Sequence, residues 1–332
     1  MNIYGMKFLN TDDCLKNDAS FLLNIFSSTR NDGHPLAITE FALSEGEQMA
    51  YYSFRSPDTL HEVRSISKFV VALCIGILLE SLGLNHTTYL DTNIWPFIRS
   101  KVKITANQNS MEILKEATIA HLLTQTIGYK NSDILFSSTL QEYSPNDYFD
   151  ILMMEQIIFQ NGEKFRYSNA TAYLLSVIFQ ESVGINLYQY AKNHLFEPLN
   201  ITPHEWINYG AYCAGATGLK LRCKDLQKLG QLVLKNGLWN GTRIISSTYL
   251  DAMTTPKVVI EDDNFLSTPL APVGYGYFTW IDSAGNYYAS GANGQYMVVL
   301  PSKKQVLTIF AQQPNTMYLQ QAIKTYILYK HI

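Results

Sequence analysis

The stretch HEVRSISK, residues 61–68, and the apolar run FVVALCIGILL behind it, residues 69–79, decide how this chain is expected to fold. The run is apolar on every side, a pattern typical of a helix buried in the middle of a domain. Ser65 and Lys68 are three positions apart, so a helix that begins near Ser65 places both side chains on one face, with Cβ atoms about 5–6 Å apart. At that spacing an amine can take or steer a hydroxyl proton. The stretch therefore predicts a reactive pair at the exposed start of a buried helix.

The composition predicts a folded chain with a large core. Of the 332 residues, 47% are hydrophobic and 16% are charged, which argues against disorder. The net charge of -3 gives no reason to expect a nucleic-acid partner or an anionic membrane surface. The four cysteines lack the spacing of a zinc site, and no metal or other cofactor is predicted. Free thiols are expected, with a Cys213–Cys223 bridge as the alternative.

The beginning of the chain and its longest apolar run bear on localisation. Residues 1–20 contain five charged side chains and no uninterrupted apolar segment, so no signal peptide is expected. The run at 69–79 is too short to span a bilayer. We therefore predict a cytoplasmic protein without a membrane span. The sequence indicates no oligomeric state.

Hydrophobic periodicity and turn residues predict the order of the elements. Helices are expected at 15–30, 65–83, 117–126, 148–159, 169–183, 187–195, 219–234 and 317–329. Strands are expected at 36–43, 48–54, 275–281, 287–290, 295–300 and 305–312. Strands at both ends of a helical middle predict an α/β (α+β) sandwich, in which one antiparallel sheet with flanking helices is built from both termini. Residues 1–90 and 210–332 would form this sheet domain, and residues 91–209 would form an inserted helical region.

Three short motifs are candidates for chemistry, and each has a structural alternative. Ser65-x-x-Lys68 is frequent by chance and also fits a helix N-cap followed by a solvated lysine. Tyr167-Ser168-Asn169 places a phenol and an amide at a predicted helix start, where a nearby lysine ammonium would ease loss of the phenol proton. The alternative there is an N-cap beside a packed tyrosine. The segment ASGANGQ, residues 289–295, could leave a backbone N–H for an oxyanion, or form only a hairpin turn.

The order and spacing of the three motifs resemble those of the serine β-lactamase and penicillin-binding superfamily. The branch most similar holds class C β-lactamases, D-Ala-D-Ala carboxypeptidases and related esterases. Flanking segments agree with this resemblance over roughly residues 35–312: TIAHLLT at 118–124, LFEPL at 195–199, GLKLRCKDL at 218–226 and GLWNG at 237–241. The resemblance implies a β-lactamase/transpeptidase-like fold and a serine hydrolase acting on a small ester, amide or short peptide.

The resemblance also implies roles for individual residues. Ser65 would attack a carbonyl carbon and become acylated, while Lys68 and Tyr167 would move the protons. Asn169 would hold the lysine or a substrate amide, and the N–H groups of Ser65 and Ala292 would form the oxyanion hole, beside Ser290 and Gly291. Water would then release the acyl group, with Tyr167 as its base.

Two departures from the family pattern narrow the prediction. Where the third motif is usually Lys-Thr-Gly or His-x-Gly, this chain has Ala289-Ser290-Gly291, without the cation that would meet a β-lactam carboxylate. That form is closer to members such as the 6-aminohexanoate-dimer hydrolases. Gln125 replaces a usual histidine, which we interpret as structural. The alternatives are a β-lactamase or D-Ala-D-Ala carboxypeptidase-type peptidase, and a penicillin-binding sensor that does not hydrolyse. Specificity is expected to lie in loops such as residues 131–144 and 261–271.

Overall fold

The fold is organised around one large antiparallel sheet. The computed structural model describes residues 7–53, 59–131, 134–135 and 148–329. Within these residues, β-strands are formed by Lys7–Leu9 (β1), Arg30–Asn31 (β2), His34–Pro35 (β3), Ile38–Glu45 (β4), Gln48–Ser53 (β5), His61–Glu62 (β6), Glu205–Trp206 (β7), Asn208–Tyr209 (β8), Tyr212–Cys213 (β9), Leu219–Leu221 (β10), Leu238–Trp239 (β11), Thr242–Arg243 (β12), Val258–Val259 (β13), Gly274–Tyr275 (β14), Trp280–Ile281 (β15), Tyr287–Gly291 (β16), Gln295–Leu300 (β17) and Gln305–Ala311 (β18).

The helices flank this sheet and fill the middle of the chain. They are Asp13–Ser28 (α1), Ser67–Leu82 (α2), His86–Leu90 (α3), Trp95–Ile98 (α4), Gln108–Lys115 (α5), Ile119–Leu123 (α6), Tyr148–Met154 (α7), Asn169–Val183 (α8), Leu187–Ala191 (α9), Cys223–Leu234 (α10), Ser247–Met253 (α11), Asp263–Leu266 (α12) and Met317–Leu328 (α13). A 3₁₀ turn at Arg64–Ile66 leads directly into α2.

The main sheet joins the two ends of the chain, as predicted. Its strand order is β1-β5-β4-β18-β17-β16-β15-β14-β13, with antiparallel pairing throughout. The strands β4, β17 and β18 are buried along almost their whole length, so both faces of the sheet centre are covered. A tight turn at Gly46 and Glu47 links β4 to β5, and Glu45 pairs with Gln48 across it. The predicted sheet from both termini and the predicted α+β class are therefore confirmed.

Helix α2 lies in the core, as its apolar sequence predicts. The side chains from residue 67 to residue 79 are all buried. The helix ends at Gly83, whose φ of 62° is left-handed, a conformation that glycine adopts at little cost. The stretch Arg64–Leu82 is long and apolar enough to cross a membrane, but 78% of its most apolar window is buried inside the protein. A buried core helix meets the same criteria, so this stretch is weak evidence for a span.

Several predicted boundaries are wrong. The helix expected from residue 219 begins only at Cys223, because Leu219–Leu221 pairs as β10 with β6 and β7. The segment expected as one strand at 275–281 forms β14 and β15, which pair with each other. The helix expected at 148–159 stops at Met154. Residue 54, the expected end of a strand, lies outside the described residues.

The middle of the chain is helical where it is described. Between residues 91 and 209 it contains α4 to α9, a π-helical turn at Lys192–Phe196 and the two-residue strands β7 and β8. The division into a sheet domain at 1–90 plus 210–332 and an insert at 91–209 stays a prediction. The four cysteines, all among the described residues, form no disulfide bond, so the expectation of unbridged cysteines is confirmed.

Candidate active site

Ser65 and Lys68 meet at the start of the buried helix. Ser65 is the middle residue of the 3₁₀ turn, two residues before α2 begins, and Lys68 is the second residue of α2. The Lys68 Nζ donates to Ser65 Oγ at 3.2 Å. The predicted pairing of hydroxyl and amine is present in the structure.

Lys68 is held by three oxygen atoms in a buried setting. Besides Ser65 Oγ, its Nζ contacts Asn169 Oδ1 at 2.7 Å and the Ala216 carbonyl oxygen at 3.3 Å. Only 1% of the residue is exposed, and burial lowers the pKa of Lys68 to about 7. A neutral amine has two protons, which would serve Asn169 and Ala216 and leave its lone pair facing the Ser65 hydroxyl. This arrangement suits a base near neutral pH.

Tyr167 completes the group around the nucleophile. Its ring centroid lies 4.7 Å from Lys68 Nζ, and its hydroxyl is hydrogen-bonded with the Ser65 side chain. The sequence predicts that the lysine eases loss of the phenol proton, but burial raises the pKa of Tyr167 to about 12. Desolvation disfavours the phenolate more than the hydrogen bond with Ser65 favours it. The phenol is therefore protonated at neutral pH and is placed to donate a proton.

Asn169 is fixed at the first residue of helix α8. Its Nδ2 donates to the Leu135 carbonyl oxygen at 3.1 Å, which orients Oδ1 towards Lys68. Ser168 is the N-cap, whose hydroxyl accepts from the Ala170 N–H at 3.1 Å. Both the capping role and the contact with Lys68 are present, so the two interpretations of this motif are compatible.

The side chain of Gln125 holds the Tyr167–Asn169 segment through two hydrogen bonds to the Ser168 backbone. Its Nε2 donates to the Ser168 carbonyl oxygen at 3.1 Å, and its Oε1 accepts from the Ser168 N–H at 3.0 Å. The Thr171 hydroxyl donates to the same Oε1 at 2.8 Å. Gln125 is fully buried, so these bonds replace the water that its amide would otherwise need. The interpretation of this residue as structural agrees with these contacts.

The third motif packs directly against the nucleophile turn. A Cβ atom built on Gly291 would lie 2.4 Å from the Val63 carbonyl oxygen and 2.9 Å from Arg64 Cβ. Only glycine allows strand β16 to approach the turn so closely. Ser290, Gly291 and Ala292 consequently lie beside Ser65 along one cleft.

A salt bridge braces the residue before the nucleophile. Arg64 has a left-handed φ of 54°, which is strained for a residue with a side chain. Its Nη1 contacts Glu62 Oε2 at 2.7 Å, while Glu62 Oε1 accepts from Thr217 Oγ1 at 3.0 Å and the Gly218 N–H at 3.2 Å. Glu62 thus ties the nucleophile turn to the segment that carries the Ala216 carbonyl.

Ser65 and Tyr167 open into a cleft of about 410 Å³. Its other lining residues come from the α12 loop, the sheet and the start of α13: Asn264, Phe265, Thr268, Leu270, Pro272, Trp280, Tyr288, Ser290, Gly291, Ala292, Asn293, Tyr296, Pro314, Thr316 and Gln320. The loop expected at 261–271 to carry specificity therefore contributes to the cleft. Most of the other expected loop, residues 131–144, lies outside the described residues.

A family model agrees with this geometry. The model of the beta-lactamase family matches residues 41–329, which include every candidate site residue. The chain belongs to the beta-lactamase family. The predicted superfamily is thereby confirmed, and the members of this family are generally serine hydrolases.

Individual proteins of known sequence or structure are also similar to this chain. Protein flp of Staphylococcus aureus is 30% identical over 149 residues, which cover 44% of this chain and only 28% of that relative's own length. A Bacillus anthracis protein described as a 6-aminohexanoate-dimer hydrolase has a TM-score of 0.71 at 17% identity, covering 91% of this chain and 84% of the other. A D-stereospecific amidohydrolase from Streptomyces sp. has a TM-score of 0.70 at 16% identity, covering 94% and 99%. These two solved structures have the same fold as this chain.

The sequence does not predict the roles of two residues at the site. The Trp280 ring lines the cleft, and Glu62 pairs with Arg64 and so supports the nucleophile turn. The proximity of Glu62 and Arg64 to Ser65 was a usable signal, because charges flanking a nucleophile often pair. Trp280 carried no such signal, since its place in the cleft depends on sheet pairing.

Proposed function

We propose that this member of the beta-lactamase family is a serine hydrolase that cleaves an ester or amide bond through an acyl-enzyme on Ser65. The observation that carries the proposal is the position of Lys68. Its Nζ is 3.2 Å from Ser65 Oγ, and burial brings the pKa of Lys68 to about 7. A neutral amine at this distance can accept the hydroxyl proton as the oxygen attacks.

Acylation follows from the positions of three side chains. Ser65 Oγ forms a bond to the substrate carbonyl carbon while its proton passes to Lys68 Nζ. The backbone N–H groups of Ser65 and Ala292 would stabilise the oxyanion that develops. The carbon–oxygen or carbon–nitrogen bond then breaks as Tyr167 donates its phenol proton to the leaving group. Transfer of a proton from the Lys68 ammonium to the Tyr167 oxygen restores both residues.

Deacylation reverses these roles with water as the nucleophile. A water molecule attacks the acyl carbon and gives a proton to the neutral Lys68 amine, directly or through Tyr167. The bond between the acyl carbon and Ser65 Oγ breaks, and the oxygen regains its proton from the same pair. The products are a carboxylic acid and the free enzyme.

Intact-mass measurement with an activated ester tests this proposal. We expect the native protein to release 4-nitrophenolate from 4-nitrophenyl butyrate in many turnovers and to show a transient mass gain of one butyryl group. Ser65→Ala should show neither, while Ser20→Ala, at an exposed position of α1 that does not line the cleft, serves as the matched serine control. Full turnover by Ser65→Ala would contradict the proposal.

A β-lactam probe separates the alternatives. The cleft has no described cation for a β-lactam carboxylate, so we expect slow or undetectable acylation by benzylpenicillin. Rapid turnover of benzylpenicillin would instead indicate a β-lactamase. A persistent penicillin adduct on Ser65 without ester turnover would indicate a penicillin-binding sensor.

A further inference from the structure

The cleft has a flat aromatic wall that starts at the proposed acid. The rings of Tyr167 and Trp280 are stacked, with centroids 5.6 Å apart and planes 20° apart. Trp280 stacks in turn on Tyr288, with centroids 6.4 Å apart and planes 19° apart. Phe265 lies 4.7 Å from the Trp280 ring and faces the same space. An apolar or aromatic group beside Ser65 would bury its surface against these rings.

The polar groups of the cleft are neutral. Ser290, Asn293, Thr316 and Gln320 offer hydroxyl and amide groups for hydrogen bonds. Among the described lining residues there is no lysine, arginine, histidine, aspartate or glutamate. An anionic group that entered would lose water without gaining a described counter-charge, which is costly.

The arginine and the lysine that flank Ser65 in the chain are already engaged. Lys68 is buried against Ser65, Asn169 and Ala216. Arg64 pairs with Glu62 and lines a neighbouring cavity of about 240 Å³, which shares Asn293 and Pro314 with the cleft. Neither side chain is among those that line the aromatic cleft.

The rim of the cleft adds a negative charge. Glu261, Asp262 and Asp263 are exposed, and they directly precede Asn264 and Phe265, which line the cleft. Their field would repel an approaching anion. The neutral lining and the acidic rim therefore both disfavour an anionic substrate.

We infer that this cleft selects uncharged esters or amides that carry an apolar or aromatic group, and that it discriminates against substrates that carry a carboxylate. The inference rests on the proposed hydrolase function, because it assigns a substrate class to the same site. The inference assigns the rings of Trp280, Tyr288 and Phe265 as the surface that binds the uncharged group.

A matched pair of esters tests the inference by turnover. 4-Nitrophenyl hexanoate and the mono-4-nitrophenyl ester of adipic acid share a leaving group and chain length, and differ in a terminal methyl or carboxylate. At pH 8 we expect kcat/KM for the hexanoate to be at least about tenfold higher. Equal values, or a preference for the adipate ester, would overturn the inference while leaving the hydrolase proposal intact.

A single added cation should change this preference. Asn264 lines the cleft, is exposed, and directly precedes Phe265 in the sequence. Asn264→Lys should reduce the preference for the hexanoate several-fold, whereas Asn264→Gln, which stays neutral, should retain it. If both variants behave alike, charge does not govern selection in this cleft.

Binding to an inactive variant tests the inference without turnover. We would titrate Ser65→Ala with 4-phenylbutyramide and with 4-phenylbutyrate in a calorimeter. We expect the amide to bind at least about tenfold more tightly, and Phe265→Ala in the same background to weaken that binding. Equal binding, tighter binding of the carboxylate, or no binding of either probe would overturn the inference. If the amide is preferred but no ester is hydrolysed, the cleft assignment stands and the hydrolase proposal fails.

Discussion

Lys68 Nζ lies 2.7 Å from Asn169 Oδ1, a residue 101 positions further along the chain. This contact joins the start of α2 to the start of α8, so the two helices position one functional group together. The Asn169 amide can accept from the lysine in either protonation state without adding a charge. The neutral partner therefore allows burial to lower the pKa of Lys68 to about 7.

Activity should rise with pH through the pKa of Lys68. Below about pH 7 the amine is protonated and cannot accept the Ser65 proton, and above it the amine is neutral. We expect kcat/KM for 4-nitrophenyl hexanoate to fall about tenfold per pH unit below the midpoint and to level off above it. A pH–rate profile corrected for spontaneous hydrolysis measures this. A profile that is flat from pH 5 to pH 9 would exclude Lys68 as the base.

Asn169→Asp should move the same profile to higher pH. A carboxylate in place of the amide stabilises the Lys68 ammonium at about the same distance, which raises the pKa of Lys68. We expect the midpoint of kcat/KM to rise by at least about one pH unit, with lower activity at pH 7. An unchanged midpoint would show that the pKa of Lys68 does not set the profile.

Gln125→Met should harm both stability and catalysis. Methionine has a similar size but cannot bond to Ser168, so the buried Ser168 N–H loses its acceptor and the Ser168 carbonyl loses one donor. We expect the free energy of unfolding to fall by about 2–4 kcal/mol and kcat to fall because Tyr167 is no longer held. Thermal unfolding and ester kinetics measure the two effects. Gln189→Met, at an exposed position, is the control and should change neither by much.

Gly291→Ala should separate the strand from the nucleophile turn. The new methyl group would lie 2.4 Å from the backbone oxygen of Val63, which has little room to move. We expect a loss of about 1–3 kcal/mol in unfolding free energy and a fall in kcat larger than that in substrate affinity. Calorimetry with phenylbutyramide and steady-state kinetics separate these effects. Unchanged kcat would show that the close approach of β16 is not needed for catalysis.

The features that depend on local chemistry were predictable from the sequence. Spacing alone placed Ser65 and Lys68 on one face. Gly184 marked the end of α8 correctly, with a left-handed φ of 78°. In each case the signal and the structure involve residues close in the chain, so no knowledge of distant partners was required.

The features that depend on distant partners were not predictable in this way. Leu219–Leu221 is a strand because it pairs with β6, although its sequence continues smoothly into a helical pattern. Trp280 enters the aromatic wall because it is opposite Tyr288 across β15 and β16. The raised pKa of Tyr167 depends on how completely the other walls bury it, which its neighbours in sequence do not reveal.

The pairing of β4 with β18 has a consequence for how the protein is made. Thr39 Oγ1 donates to the Phe310 carbonyl oxygen across 271 positions, and Gly291 packs against the turn that holds Ser65. The nucleophile therefore emerges from the ribosome long before the strands that support it. Contacts so distant in sequence form late and slowly. A nascent chain should consequently carry Ser65 in an unassembled and inactive form until its β16 to β18 region has been synthesised.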